Sequence, residues 1–241
     1  MTFINTGLPF TSALVSLTFA FFVFKRYAEK RKPHLLLWGI GMLFYAIGGF
    51  AEGYFGAFGW NAIIYRLWYL FGAILVAAWL GQGTVYLLGK RHWAHGFMVL
   101  LSLGSLYGIY KVFTAQLDPG LLMTSVHTGS ELSGHAIITP GVRTLTPFFN
   151  LYGTVFLVGG AVYSAWLFFR KRILLHRTLG NILIAVGAMA PAFGGVFSRM
   201  GLPAALYAGE LLGAILMFIG FIRATTPMTE QRPKVGAQAP A

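Results

Sequence analysis

The sequence predicts an all-α, polytopic membrane protein of seven transmembrane helices, with the N-terminus outside and the C-terminus inside. Three observations predict it. The 241 residues are 57% hydrophobic and only 10% charged, whereas a soluble domain carries about 25% charged residues. Seven apolar runs are long enough to cross a hydrocarbon core, which takes about 20 residues as a helix. Lys and Arg gather on alternate connections, as they do in cytoplasmic loops.

The runs lie at about 4–24, 34–55, 61–88, 92–113, 145–169, 178–198 and 203–222. They are continuous and rich in Gly, Ala, Leu and Phe, which fits helices and not the alternating strands of a barrel. The first run has no basic residue before it, and its basic cluster follows it. That order predicts a retained first helix, not a cleaved signal. With an outside N-terminus, 14 of the 18 Lys and Arg fall on the inner side, in KRYAEKRKP, GKR, RKRILLHR and the tail. This segregation accounts for the net charge of +12 without a nucleic-acid partner. The expected partner is the lipid bilayer, with a membrane protein or a second copy of the chain as further possibilities. A prokaryotic inner or plasma membrane is the expected location.

One bundle is expected over 1–222, with a polar cytoplasmic tail over 223–241. Within the bundle, residues 21–52 align without gaps on 167–198 with nine of 32 positions identical, including the pairs Gly48-Gly49 and Gly194-Gly195. Further on, LFGAIL (70–75) meets LLGAIL (211–216). This predicts a parallel 3+1+3 repeat. Repeat 1 covers about 4–88, a linker helix 92–113, an outer loop 114–144, and repeat 2 about 145–222. The loop is rich in Gly, Ser, Thr and Pro, and is expected to lie on the outer face, folded over the mouth of the bundle.

The 3+1+3 arrangement resembles the sugar and PQ-loop transporters, and the seven helices with an outside N-terminus resemble microbial rhodopsins. No Pro-Gln dipeptide is present. The last span, LPAALYAGELLGAILMFIGF, has no lysine to carry a retinal Schiff base. The stretches RKPHLLLWGIGMLFYAIGGFAEGYFG and RLWYLFGAILVAAWLGQGTVYLL are similar to the seven-helix input region of some bacterial histidine kinases. The residues that carry this likeness are Trp38, Glu52, Trp68 and Tyr69. It implies a sensor-like role.

An ionisable residue inside a span costs about 2.5–3.5 kcal/mol at the helix centre, so each one needs a partner or a purpose. Glu52, Arg66, Arg199 and Glu210 gather near the outer ends of spans 2, 3, 6 and 7, with Tyr69, Asn150 and Tyr207 at similar depth. These seven are the candidate ligand-binding residues of an outward-facing polar pocket. The alternative is helix pinning by ion pairs, Glu52 with Arg66 and Glu210 with Arg199 or Arg66. The repeat sets Glu210 opposite Tyr69, so the two are expected to face the bundle axis alike. Pro191 with Gly194 and Gly195 is a candidate hinge in span 6. Gln82 and Asn181 are expected to cross-link helices by hydrogen bonds.

No metal site is expected. The weaker candidate is His127, Glu131 and His135, an H-x3-E-x3-H in the outer loop. No cofactor is expected either, since no two histidines lie deep enough in facing spans to hold a haem. There is no cysteine, no Walker, HExxH or GxSxG motif, and the single aspartate lies in the outer loop. These absences point away from an enzyme. The expected function is a ligand-binding, sensor-like module or an accessory subunit of a membrane complex. The alternative is a small-solute transporter.

Overall fold

A computed structural model describes residues 3–123, 132, 134–171, 175–202 and 204–225. Seven helices are long and apolar enough to cross a membrane, and the chain is a multi-pass integral membrane protein. Span 1 is Phe3–Lys30 and span 2 is Pro33–Phe58. Span 3, Ala62–Leu88, is composite, with α-helix at Ala62–Leu67 and Val76–Leu88 flanking a π-helical stretch at Trp68–Leu75. Span 4 is Arg91–Thr114, span 5 Leu145–Arg170, span 6 Leu175–Arg199 and span 7 Ala204–Thr225. Most helices run a few residues past their apolar runs, because the hydrogen-bond ladder continues into the polar interface.

The turns are local chemistry. Arg31 and Lys32 alone join spans 1 and 2. Arg31 takes a left-handed φ of 52°, and Pro33 opens the next helix, where its fixed φ and missing N–H cost nothing. Asn61 caps span 3 by accepting the amides of Ile63 and Ile64, both at 3.0 Å.

Spans 1, 2, 3, 5, 6 and 7 form a ring in which each packs against the next, and span 7 closes on span 1. Span 4 stands outside the ring, chiefly against span 3, and is the least buried of the seven. It presents Leu100, Leu103, Leu106 and Tyr110 outward. At the basic end, Arg26 of span 1 donates to the hydroxyl and the carbonyl of Thr225 in span 7. Glycines set the closest approaches. A Cβ on Gly153 of span 5 would lie 2.3 Å from the carbonyl carbon of Ala77 in span 3, which no substitution relieves without parting the helices.

The connection after span 4 folds back on the end opposite the basic one. Leu117 and Ile137 form an antiparallel bridge. Ala115, Leu132, Ala136, Ile137 and Val142 are buried against Trp60, Tyr65, Trp68 and Tyr69. The described part of this loop therefore covers the ends of spans 2 and 3. A second core, built on Phe19, Met42, Leu80, Leu157, Met217 and Phe221, fills the basic half of the ring.

Gln82 does cross-link helices. Its amide donates to the Ala94 carbonyl of span 4 at 2.8 Å, and the Tyr152 hydroxyl of span 5 donates to its oxygen. Asn181 does not: it donates to Arg177 within its own helix, at 2.9 Å. The expected tail from 226 onward, and His127 and Glu131 of the metal candidate, lie outside the described residues.

Candidate functional site

Between the two cores the ring surrounds a partly open cavity of about 380 Å³. Helical periodicity decides which residues reach it, since positions three or four apart share a face. Span 2 contributes Tyr45, Gly48, Gly49 and Glu52. From span 5 come Thr146, Asn150 and Thr154, at i, i+4 and i+8. Span 6 contributes Pro191, Ala192, Gly195 and Arg199, and span 7 Leu206, Glu210 and Met217. Trp68, Gly72, Ala73 and Val76 line the span 3 side, while Leu80 and Leu157 complete the apolar floor.

The two acids come from opposite halves of the chain and meet here. Glu52 lies six residues before Phe58 and Glu210 six after Ala204, so both sit about 9 Å from their helix ends at 1.5 Å per residue. Their carboxyl groups are side by side within hydrogen-bonding reach. Glu52 is only 1% exposed, and its Oε1 accepts the Trp68 indole N–H at 2.8 Å. The Oε2 atoms of both glutamates are buried without a hydrogen-bond partner. The Tyr45 hydroxyl donates to the Glu210 backbone carbonyl at 2.9 Å, which fixes the span 2 to span 7 contact beside the pair.

The expected ion pair of Glu52 with Arg66 does not form. Arg66 turns the other way and donates to the carbonyls of Val112 at 3.2 Å and Ala115 at 2.8 Å, anchoring the end of span 4 to span 3. Of the seven candidate residues, Glu52, Asn150, Arg199 and Glu210 line the cavity, and Arg66, Tyr69 and Tyr207 do not. Tyr207 is fully buried. The Tyr69 hydroxyl instead shares a hydrogen bond with Thr146 at 3.0 Å. Tyr69 and Glu210 thus do not present related surfaces to the cavity. Trp68, one residue earlier, lines the cavity where Tyr69 was expected.

The π-helical stretch is the local reason. Its i+5 bonding widens the turn and rotates the residues that follow relative to an α-helix. It covers WYLFGAIL, the segment that the sequence alignment sets against part of span 7. Asn150 serves the same stretch, donating to the Ala73 carbonyl at 3.0 Å. Trp68 is held by aromatic neighbours, Trp60 at 5.6 Å, Tyr65 at 5.8 Å and Tyr69 at 6.1 Å between ring centroids.

No protein-family model matches this chain, and neither does any curated protein or solved structure.

In the hinge candidate, Pro191 and Gly195 line the cavity. Gly194 faces span 7, where a Cβ would lie 2.5 Å from the Ala205 carbonyl oxygen, so close packing explains it. His135 sits with its Nδ1 3.1 Å from the Leu132 carbonyl oxygen. Among the described residues no three metal-ligating side chains of His, Asp or Glu converge. Tyr45, Trp68, Thr146 and Thr154 are the site residues that the pocket expectation missed. Three had a sequence signal. Trp68 belongs to the same set as Glu52 in the likeness to kinase input regions, and Thr146-x3-Asn150-x3-Thr154 is a polar stripe in an apolar helix.

Proposed function

We propose that this protein is a non-enzymatic, ligand-binding membrane module, sensor-like or an accessory subunit, and that the central cavity is its binding pocket. The observation that carries the reading is the meeting of Glu52 and Glu210 in a cavity of about 380 Å³. Pockets that enclose small molecules run at about 300–1,000 Å³, mostly apolar with a few convergent polar groups. An acid within a span is by default a candidate for function. Helix pinning accounts for them less well: Arg66 is engaged elsewhere, and Arg199, which lines the same cavity, has no hydrogen bond to either acid among the described residues.

The basic connections support an outside N-terminus, which makes the pocket lie towards the outer side. The 3+1+3 repeat is supported by the closed ring of six helices with span 4 outside. Contacts 3–5 and 7–1 are equivalent under such a repeat, and the acid pair then bridges the two halves.

Thermal unfolding of the purified protein against a panel of small metabolites tests the reading, with Ala192→Phe as the cavity-filled control. A ligand should raise the melting temperature of the native protein and not of Ala192→Phe. Hits that stabilise both equally would place binding elsewhere. A second reading, transport of a small solute, is favoured by the position of the cavity between the two helix triplets, with Pro191 in its wall. Uptake of a panel hit into reconstituted liposomes would select it over the binding module.

A further inference from the structure

The cavity has a marked division of surface. One side carries the two carboxyl groups, each with an Oε2 that is buried and unpartnered. The floor is hydrocarbon, chiefly Leu80, Leu157 and Met217, while Thr146, Asn150 and Arg199 also border the space. A buried polar atom without a partner is costly, of the order of 1–3 kcal/mol, and more for a charged group. The two carboxyl groups can share one proton between them, and a ligand that brings several donors engages both oxygens in its place.

We propose that the occupant is a small primary ammonium ion on an apolar body, its N–H groups directed at Glu52 and Glu210. This rests on the cavity being a binding pocket, as argued above. A primary ammonium carries three N–H donors and no acceptor, and charge-assisted hydrogen bonds of this kind are about twice as strong as neutral ones. Trp68 borders the same space, and an indole beside a cation adds a favourable interaction. The bond from its N–H to Glu52 Oε1 leaves Oε2 of that residue for the ligand. The alkyl part of the amine lies against Leu80, Leu157 and Met217. A bare metal cation fits less well, because it takes about six oxygen ligands and the floor of the cavity offers none. A quaternary ammonium has the charge but no N–H to give.

The test uses the full-length protein in nanodiscs at constant ionic strength, read by thermal unfolding and tryptophan fluorescence. The probes are n-butylammonium, butyltrimethylammonium, n-butanol, butyrate and sodium. Only n-butylammonium should stabilise the protein saturably, and Ala192→Phe should abolish the effect. Glu52→Gln and Glu210→Gln keep the side-chain volume and should each weaken binding about tenfold or more, the loss that corresponds to one charge-assisted hydrogen bond. If either variant fails to fold, the ranking of the five probes on the native protein decides. Equal stabilisation by butanol, butyrate, sodium or the quaternary ion overturns the ammonium assignment. If that stabilisation is lost in Ala192→Phe, the pocket itself stands. If no probe has an effect that Ala192→Phe removes, the ammonium assignment and the pocket fall together.

Discussion

Replacing Trp68 by phenylalanine removes the indole N–H donor together with the five-membered ring that carries it, a ring loss that the control Trp79→Phe shares. The phenyl ring retains most of the packing against Trp60 and Tyr65. What is lost is the 2.8 Å bond to Glu52 Oε1. Glu52 is 1% exposed, so bulk water does not replace the donor, and a hydrogen bond to a charged group contributes about 1.5–3 kcal/mol. The adjoining cavity can admit a water molecule, which sets the expected loss in the lower half of that range. Reversible unfolding in mixed micelles, followed by circular dichroism, measures it. Trp79→Phe is the control, since its indole donates to the neutral Ser105 hydroxyl at 3.1 Å and should cost about 0.5–1.5 kcal/mol. Combining Trp68→Phe with Glu52→Gln closes a double-mutant cycle. The pair should be coupled, whereas independent sites add to within about 0.3–0.5 kcal/mol. A Trp68→Phe loss no larger than that of Trp79→Phe, together with an additive cycle, would refute the indole–carboxyl contact and the site geometry built on it.

Other expectations follow from the same structure. Gly153→Ala forces a Cβ to within 2.3 Å of the Ala77 carbonyl carbon and should cost about 1–3 kcal/mol of unfolding free energy. Gly159→Ala, on the same helix with nothing within 4 Å, should be neutral or stabilise by up to about 1 kcal/mol. Arg66→Met removes the donors to Val112 and Ala115, so hydrogen exchange at the end of span 4 should accelerate while n-butylammonium binding stays unchanged. If binding falls as sharply as in Glu210→Gln, Arg66 acts at the pocket after all. The native chain has no cysteine, so single introduced thiols report orientation. In intact cells an impermeant maleimide should label Ala62→Cys and not Lys90→Cys, and the reverse pattern would invert the proposed topology.

The seven spans were legible because hydropathy and length are local properties, and lipid allows a long apolar segment few structures other than a helix. The acids Glu52 and Glu210 were legible too, since a carboxyl among aliphatic residues stands out in any span. Their partners were not. Proximity along the membrane normal made Arg66 the natural counter-ion for Glu52, but depth says nothing about rotation. Arg66 projects to the other side of span 3, towards the carbonyls at the end of span 4. Tyr69 was misplaced for a related reason. Setting Tyr69 opposite Glu210 assumes that both helices keep one period, and the stretch Trp68–Leu75 does not keep 3.6 residues per turn.

By itself the sequence determined what each segment could be: an apolar helix, a basic turn, a span that carries an acid. Each of these rests on chemistry within a few residues. Only the tertiary structure decided what each side chain meets. The closure of spans 1, 2, 3, 5, 6 and 7 into a ring, the exclusion of span 4, and the cavity between two cores are set by helix–helix packing. Contacts such as that of Gly153 with Ala77 form between residues far apart in the chain. The pairing of Glu52 with Glu210 belongs to this second kind. It depends on the rotation of two helices 158 residues apart in sequence (210 − 52), and no local pattern encodes that rotation.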